Sequence, residues 1–120
     1  MGTFSVEIEV ANLNGDRYQP VEALVDTGSS GTAIPENIFR DLGVIPTGQR
    51  SFRLAHESLV SHPIGQAKVK LMGLNLVVLA VFTPNGTMPL LGAATPETFG
   101  LAANPVTQEL VEVPGLIKRM

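Results

Sequence analysis

Leu24-Val25-Asp26-Thr27-Gly28-Ser29-Ser30-Gly31-Thr32 decides how this chain is read. Ala23-Leu24-Val25 is apolar and closes a segment that predicts a strand, and the loop after it is small, polar and glycine-containing. A carboxylate at the end of an apolar strand sits at the edge of a core, where burial disfavours its charged form unless donors compensate. Thr27 and Ser29 carry hydroxyls that can donate to Asp26, and the glycines let backbone N–H groups turn toward it. Such a loop can hold an acid in a chosen protonation state. The plainer reading of the same residues is a strand-end turn, because Asp, Thr and Gly are ordinary turn formers.

Upstream of the loop, Phe4, Val6, Ile8 and Val10 alternate with Ser5, Glu7 and Glu9, the period of a half-buried strand. Asn14-Gly15-Asp16 marks a turn, and the chain returns from Arg17 to Val25, so the two segments predict an antiparallel hairpin. Downstream, Ala33-Ile34 leads into Pro35-Glu36-Asn37-Ile38-Phe39-Arg40-Asp41-Leu42-Gly43. Pro35 at a first helical position, apolar residues at helical spacing and the closing Gly43 predict a short helix. Ser51 to Leu54 and Leu59 to Ser61 read as strand arms around the polar tip Ala55-His56-Glu57-Ser58.

Ala67 to Leu71 alternates again before Gly73, and Leu76 to Phe82 is a continuous apolar strand, buried on both faces if a sheet packs over it. Thr83 to Pro89 is loop, Leu90-Leu91-Gly92 is a second apolar strand stub, and Pro96 to Phe99 predicts a short helix. Leu101-Ala102-Ala103 and Glu109 to Val113 predict a final hairpin. Short strands with regular turns argue an all-β closed or semi-closed sheet with one short helix and a C-terminal helical turn.

Composition narrows the function classes. With 120 residues the chain is expected to form a single domain, residues 1–120, around one core. That is too short for most enzymes that need two lobes facing a cleft. The formal net charge is -3 and the only basic pair beyond isolated residues is Lys118-Arg119, so no nucleic-acid partner is expected. The absence of Cys excludes disulfides and thiolate chemistry. The apolar run Leu76 to Phe82 falls far below the roughly 18 residues of a membrane helix, so no membrane partner is expected. The N-terminus shows no leader pattern, and Phe4-Ser5-Val6 does not supply the Ser or Thr of a myristoylation signal; a cytoplasmic location is the default expectation.

Leu24-Val25-Asp26-Thr27-Gly28-Ser29-Ser30 resembles the aspartic proteases of the pepsin and retroviral type. The order of parts supports the resemblance: hairpin, Asp-Thr-Gly loop, short helix, polar-tipped hairpin, apolar strand, then Leu90-Leu91-Gly92 and a helix. Leu90-Leu91-Gly92 is similar to the family's apolar-apolar-Gly strand, which packs beside the catalytic loop. The resemblance implies an acid-protease, retropepsin-like half-lobe and an aspartic endopeptidase that needs no cofactor and no metal.

It further implies that Asp26, Thr27 and Gly28 are the catalytic triplet, with Asp26 the reacting carboxylate. Thr27 would bond across to a partner loop, Gly28 would let substrate backbone approach, and Ser29 with Ser30 would support the carboxylate pair. Two carboxylates about 3 Å apart share one proton, one taking a proton from water and one polarising the scissile carbonyl. The chain holds one Asp-Thr-Gly, with Asp16 in a turn and Asp41 on a helix, so the resemblance points to the single-domain branch acting as a homodimer on a peptide or protein substrate. Ala55, His56, Glu57 and Ser58 would form a flap over the substrate, with Leu91 and Gly92 in the floor.

The sequence departs from the family in places. Retroviral members carry Arg and then Asn or Asp after the apolar-apolar-Gly, where this chain has Ala93-Ala94, and the usual Asp partner of that Arg is replaced by Ser30. Both partners of an ion pair are missing together, so no orphan charge is left. The presumed flap tip also has no glycine.

Other chemistries remain open on the residues. Val-Asp-Thr-Gly-Ser-Ser also resembles the phosphate loops of sugar kinases and actin-like ATPases, folds that need far more chain. His56, Glu57 and His62 are metal-ligand types but lack helical ligand spacing. Ser29 and Ser30 act as nucleophiles only with a nearby base. The alternative function is a catalytically weak or inactive peptide-binding or dimerisation module of the same fold, and a further one is an unrelated small barrel in which Asp26 is structural.

Overall fold

The structure, a computed structural model, describes residues 4–26, 29, 31–54, 57–92 and 94–114. Two strands open the chain, β1 (Phe4–Ala11) and β2 (Gln19–Asp26), paired antiparallel from Phe4↔Val25 to Val10↔Gln19. Their alternation is visible in the burial: Ile8, Val10, Val21, Ala23 and Val25 face the core, while Glu7 and Glu22 lie outside and opposite each other. The connection turns at Gly15, whose φ of +69° suits glycine and whose N–H donates to the Asn12 carbonyl oxygen.

A four-residue strand, β3 (Thr32–Pro35), runs into helix α1 (Glu36–Asp41). Pro35 therefore ends a strand and stands just before the helix, one position earlier than its expected place in the first turn. The strand state of Ala33-Ile34 comes from its neighbours, since β3 lies between two partners in the sheet. On α1, Phe39 is buried with its ring centroid 4.8 Å from that of Phe82. Burying a side chain of that size stabilises by roughly 1.5–3 kcal/mol, more than so short a helix gains from its own hydrogen bonds.

The next two strands are long. β4 (Pro46–Arg53) pairs antiparallel with β5 (Leu59–Leu71), and β5 turns through Met72-Gly73 into β6 (Leu74–Thr83). Met72 and Gly73 both have positive φ, 50° and 83°, the backbone of a two-residue hairpin turn matched to strand twist. The expectation that Leu76 to Phe82 is buried on both faces holds only for its second half. Ala80, Val81 and Phe82 are buried on successive positions, whereas Val77 is 43% exposed, since no described residue covers it at the hairpin end of β6.

β7 (Leu90–Gly92), α2 (Ala94–Thr98), β8 (Leu101–Asn104) and β9 (Glu109–Glu112) complete the chain. The final hairpin appears as expected, and α2 begins two residues earlier than the Pro96 start read from sequence. Phe99, Leu101 and Leu110 anchor this region to the main core.

The large sheet has the order β1-β2-β7-β3-β6-β5-β4, and β1 also pairs with β5 through Val10↔Val69. Six strands thus close into a ring, and β4 stands outside it on β5. This is the all-β closed barrel expected from the sequence, with short helices. Inside sit Ile8, Val10, Ile34, Val69, Ala80, Phe82 and Leu91, all nearly inaccessible. No described helix is long and apolar enough to cross a membrane.

Candidate active site

β2 and β3 are consecutive in the chain but do not pair with each other. β7 inserts between them, parallel to β2 and antiparallel to β3. Among the described residues between them, Ser29 and Gly31 therefore form an arch over the end of β7. Asp26 is the last residue of β2, set opposite Gly92, while its neighbour Val25 is buried in the core. The pleat alternates side chains, so Asp26 lies half-buried on the rim of the barrel.

Ser29 secures the arch to the carboxylate. Its backbone N–H donates to the Asp26 carbonyl oxygen at 3.1 Å, and its hydroxyl donates to Asp26 Oδ2 at 3.2 Å. The donor read from the sequence is thus in place. Thr27, Gly28 and Ser30 lie outside the described residues.

Gly92 is the seat on which the arch rests. Its N–H donates to the Gly31 carbonyl oxygen at 3.0 Å. A Cβ at this position would stand 2.3 Å from that oxygen and 2.7 Å from the Ser29 carbonyl oxygen, so a side chain cannot fit without moving backbone. Leu91 is fully buried in the barrel. Its side chain therefore serves the core, and any contact with a substrate from this strand falls to backbone and to the rim. Gly31 has φ +69°, which lets the arch turn down into β3.

Two residues that the sequence reading did not single out complete the arrangement. Thr32, at the start of β3, and Thr95, in α2, are each 1% exposed and hydrogen-bond to one another through their hydroxyls. The available signal was weak: Thr32 follows Ser29-Ser30-Gly31 and Thr95 precedes Pro96-Glu97-Thr98, so neither hydroxyl stands out among its neighbours, although a buried hydroxyl needs a partner. The Pro89 carbonyl oxygen, also unforeseen, accepts from Leu24 N–H at 2.9 Å and fixes the entry of β7 beside β2.

The hairpin read from the sequence as a flap is β4–β5. Its tip closes with Leu54 N–H donating to the Ser58 carbonyl oxygen and Glu57 N–H to that of Leu54, both at 2.8 Å. Glu57 takes φ +68°, the left-handed position that glycine usually occupies in such tips. Glu57 and Ser58 are exposed, and Ala55 and His56 lie outside the described residues. The arms are much longer than the sequence suggested, with Phe52↔Val60 and Arg50↔His62 as cross-strand partners. Phe52 packs against the His62 ring at 5.9 Å. Most of β4 is exposed, so the hairpin projects from the barrel.

The remaining aspartates are engaged elsewhere. Asp16 accepts from the Asn12 side-chain amide, and Asp41 pairs with Arg17 at 3.2 Å; both are exposed.

A closed barrel with an aspartate loop seated on an apolar-apolar-Gly strand defines the retropepsin-like class of acid-protease folds. Comparison agrees. The solution structure of the simian foamy virus (mac) protease is similar, with a TM-score of 0.57 and 17% identity over 79% of this chain and 93% of that one. An aspartyl protease family model matches residues 7–95, and the chain belongs to that family. No curated protein matches the sequence.

Proposed function

We propose that this chain is an aspartic endopeptidase whose active form is a homodimer, each protomer contributing one Asp26. The observation that carries the reading is the geometry of the loop. A half-buried carboxylate ends an inner strand, takes a hydroxyl from Ser29, and is held by a backbone seat with no room for a side chain. The two other aspartates are tied to the surface, so the second carboxylate of a dyad comes from a second copy.

In the proposed reaction the two Asp26 carboxyls share one proton. The ionised member takes a proton from a bound water, whose oxygen attacks the peptide carbonyl carbon; the protonated member donates to the carbonyl oxygen. Collapse of the tetrahedral intermediate breaks the C–N bond as the amine gains a proton. Ser29 and Ser30 would support the carboxylate pair, Thr27 would tie the loops, and Gly28 would leave room for substrate backbone. The β4–β5 tip, Ala55 to Ser58, would close over an extended peptide that adds as a strand above Gly92. Residues 1–120 would act as one domain.

The test is digestion of casein or a peptide library across about pH 3–7, with and without pepstatin, by wild-type protein and by Asp26→Asn. Cleavage that pepstatin blocks and Asp26→Asn lacks is the expected result. Peptide binding without cleavage by a clean wild-type dimer would leave the non-catalytic binding module instead.

A further inference from the structure

We propose that Thr95 is a positioning residue for the Asp26 loop, acting through its hydrogen bond to Thr32; this rests on Asp26 being the reacting carboxylate. Thr32 stands where the arch ends and β3 begins. Thr95 stands in α2, just beyond the Gly92 seat. Both side chains are 1% exposed, and each hydroxyl is the other's partner.

Stability alone does not account for this pair. Two valines would fill nearly the same volume with no polar group to desolvate, and replacing both members of a buried hydrogen bond by apolar groups of like shape is close to neutral. What the hydroxyls add is direction. They fix the rotation and height of α2 relative to β3, which two methyl-lined surfaces would leave free to slide.

That register reaches Asp26 by a short route. Ser29, Gly31 and Thr32 of the arch meet β7 and α2: the Gly31 carbonyl oxygen accepts from Gly92 N–H, the Ser29 carbonyl oxygen lies 2.7 Å from where a Cβ of residue 92 would stand, and the Thr32 hydroxyl bonds that of Thr95. The same segment carries the Ser29 hydroxyl to Asp26 Oδ2. No charged side chain occurs from Ser29 to Thr32 or from Ala93 to Thr95, so the neutral hydroxyl pair takes the task an ion pair would otherwise perform.

The experiment compares wild type with Thr32→Val, Thr95→Val, the double valine variant and Thr95→Ser, measuring Tm and peptide hydrolysis at saturating dimer. Each single valine variant leaves a buried hydroxyl unpartnered and is expected to lower Tm. The double variant is expected to regain the wild-type Tm while kcat stays about tenfold or more below wild type and KM stays within about twofold. Thr95→Ser, which keeps the hydroxyl, is expected to keep kcat. A double variant with wild-type kcat would overturn the inference and leave the endopeptidase reading standing. A wild-type protein that cleaves nothing would overturn both.

Discussion

At position 92 an ideal Cβ would lie 2.9 Å or less from three backbone atoms of the arch, the carbonyl oxygens of Gly31 and Ser29 and the Gly31 nitrogen. Backbone cannot step aside as a flexible side-chain end can. Gly92→Ala is therefore expected to cost about 1–3 kcal/mol or more in urea unfolding, and to lower peptidase activity in the molecules that remain folded. Ser29 supplies a different effect at the same scale. Its hydroxyl donates to Asp26 Oδ2 at 3.2 Å and so sets the rotation of the carboxylate. Ser29→Ala is expected to lower kcat about tenfold with little change in unfolding free energy; an unchanged kcat would contradict the donor role.

At the scale of elements, α1 depends on one side chain. Its N-cap residue, Pro35, makes no side-chain cap, although Asn85 Oδ1 accepts from Asn37 N–H at 2.9 Å, and its six residues are too few to be helical in isolation. Phe39 packed on Phe82 holds it to the barrel. Phe39→Ala is expected to destabilise by about 3–5 kcal/mol, read from the shift in the urea midpoint. Elements like β1, β2 and the last hairpin were legible in the sequence because alternation and turn chemistry agree there. Local pattern could not announce β3: four residues, Thr32 to Pro35, are too few to show a period, and pairing with β6 and β7 makes them a strand. The exposure of Val77 was hidden for the same reason, since burial depends on what covers a strand. At the site, Asp26 and its Ser29 donor were readable from spacing along one loop. The Thr32–Thr95 bond was not, because its partners are distant in sequence and only the fold brings them together.

For the molecule as a whole, one Asp-Thr-Gly per chain makes activity a property of association on the proposed homodimer reading. Specific activity is expected to fall on dilution once protomer concentration passes below the dimer dissociation constant, while the barrel stays folded or unfolds with it. Parallel activity and sedimentation measurements over a dilution series check this. A specific activity that stays constant down to the monomer contradicts the two-carboxylate reading.

The insertion of β7 between β2 and β3 also sets an order of assembly. Neighbouring strands with a hairpin can form early, because closing a short loop loses little chain entropy. Asp26 meets Gly92, and Val10 meets Val69, only when distant stretches of chain find each other, the slow kind of contact. A chain in which those distant contacts have not formed carries the aspartate without its Gly92 seat. On the proposed endopeptidase reading the barrel is its own safety catch, since the Asp26 loop has its seat only where the strands around it have paired.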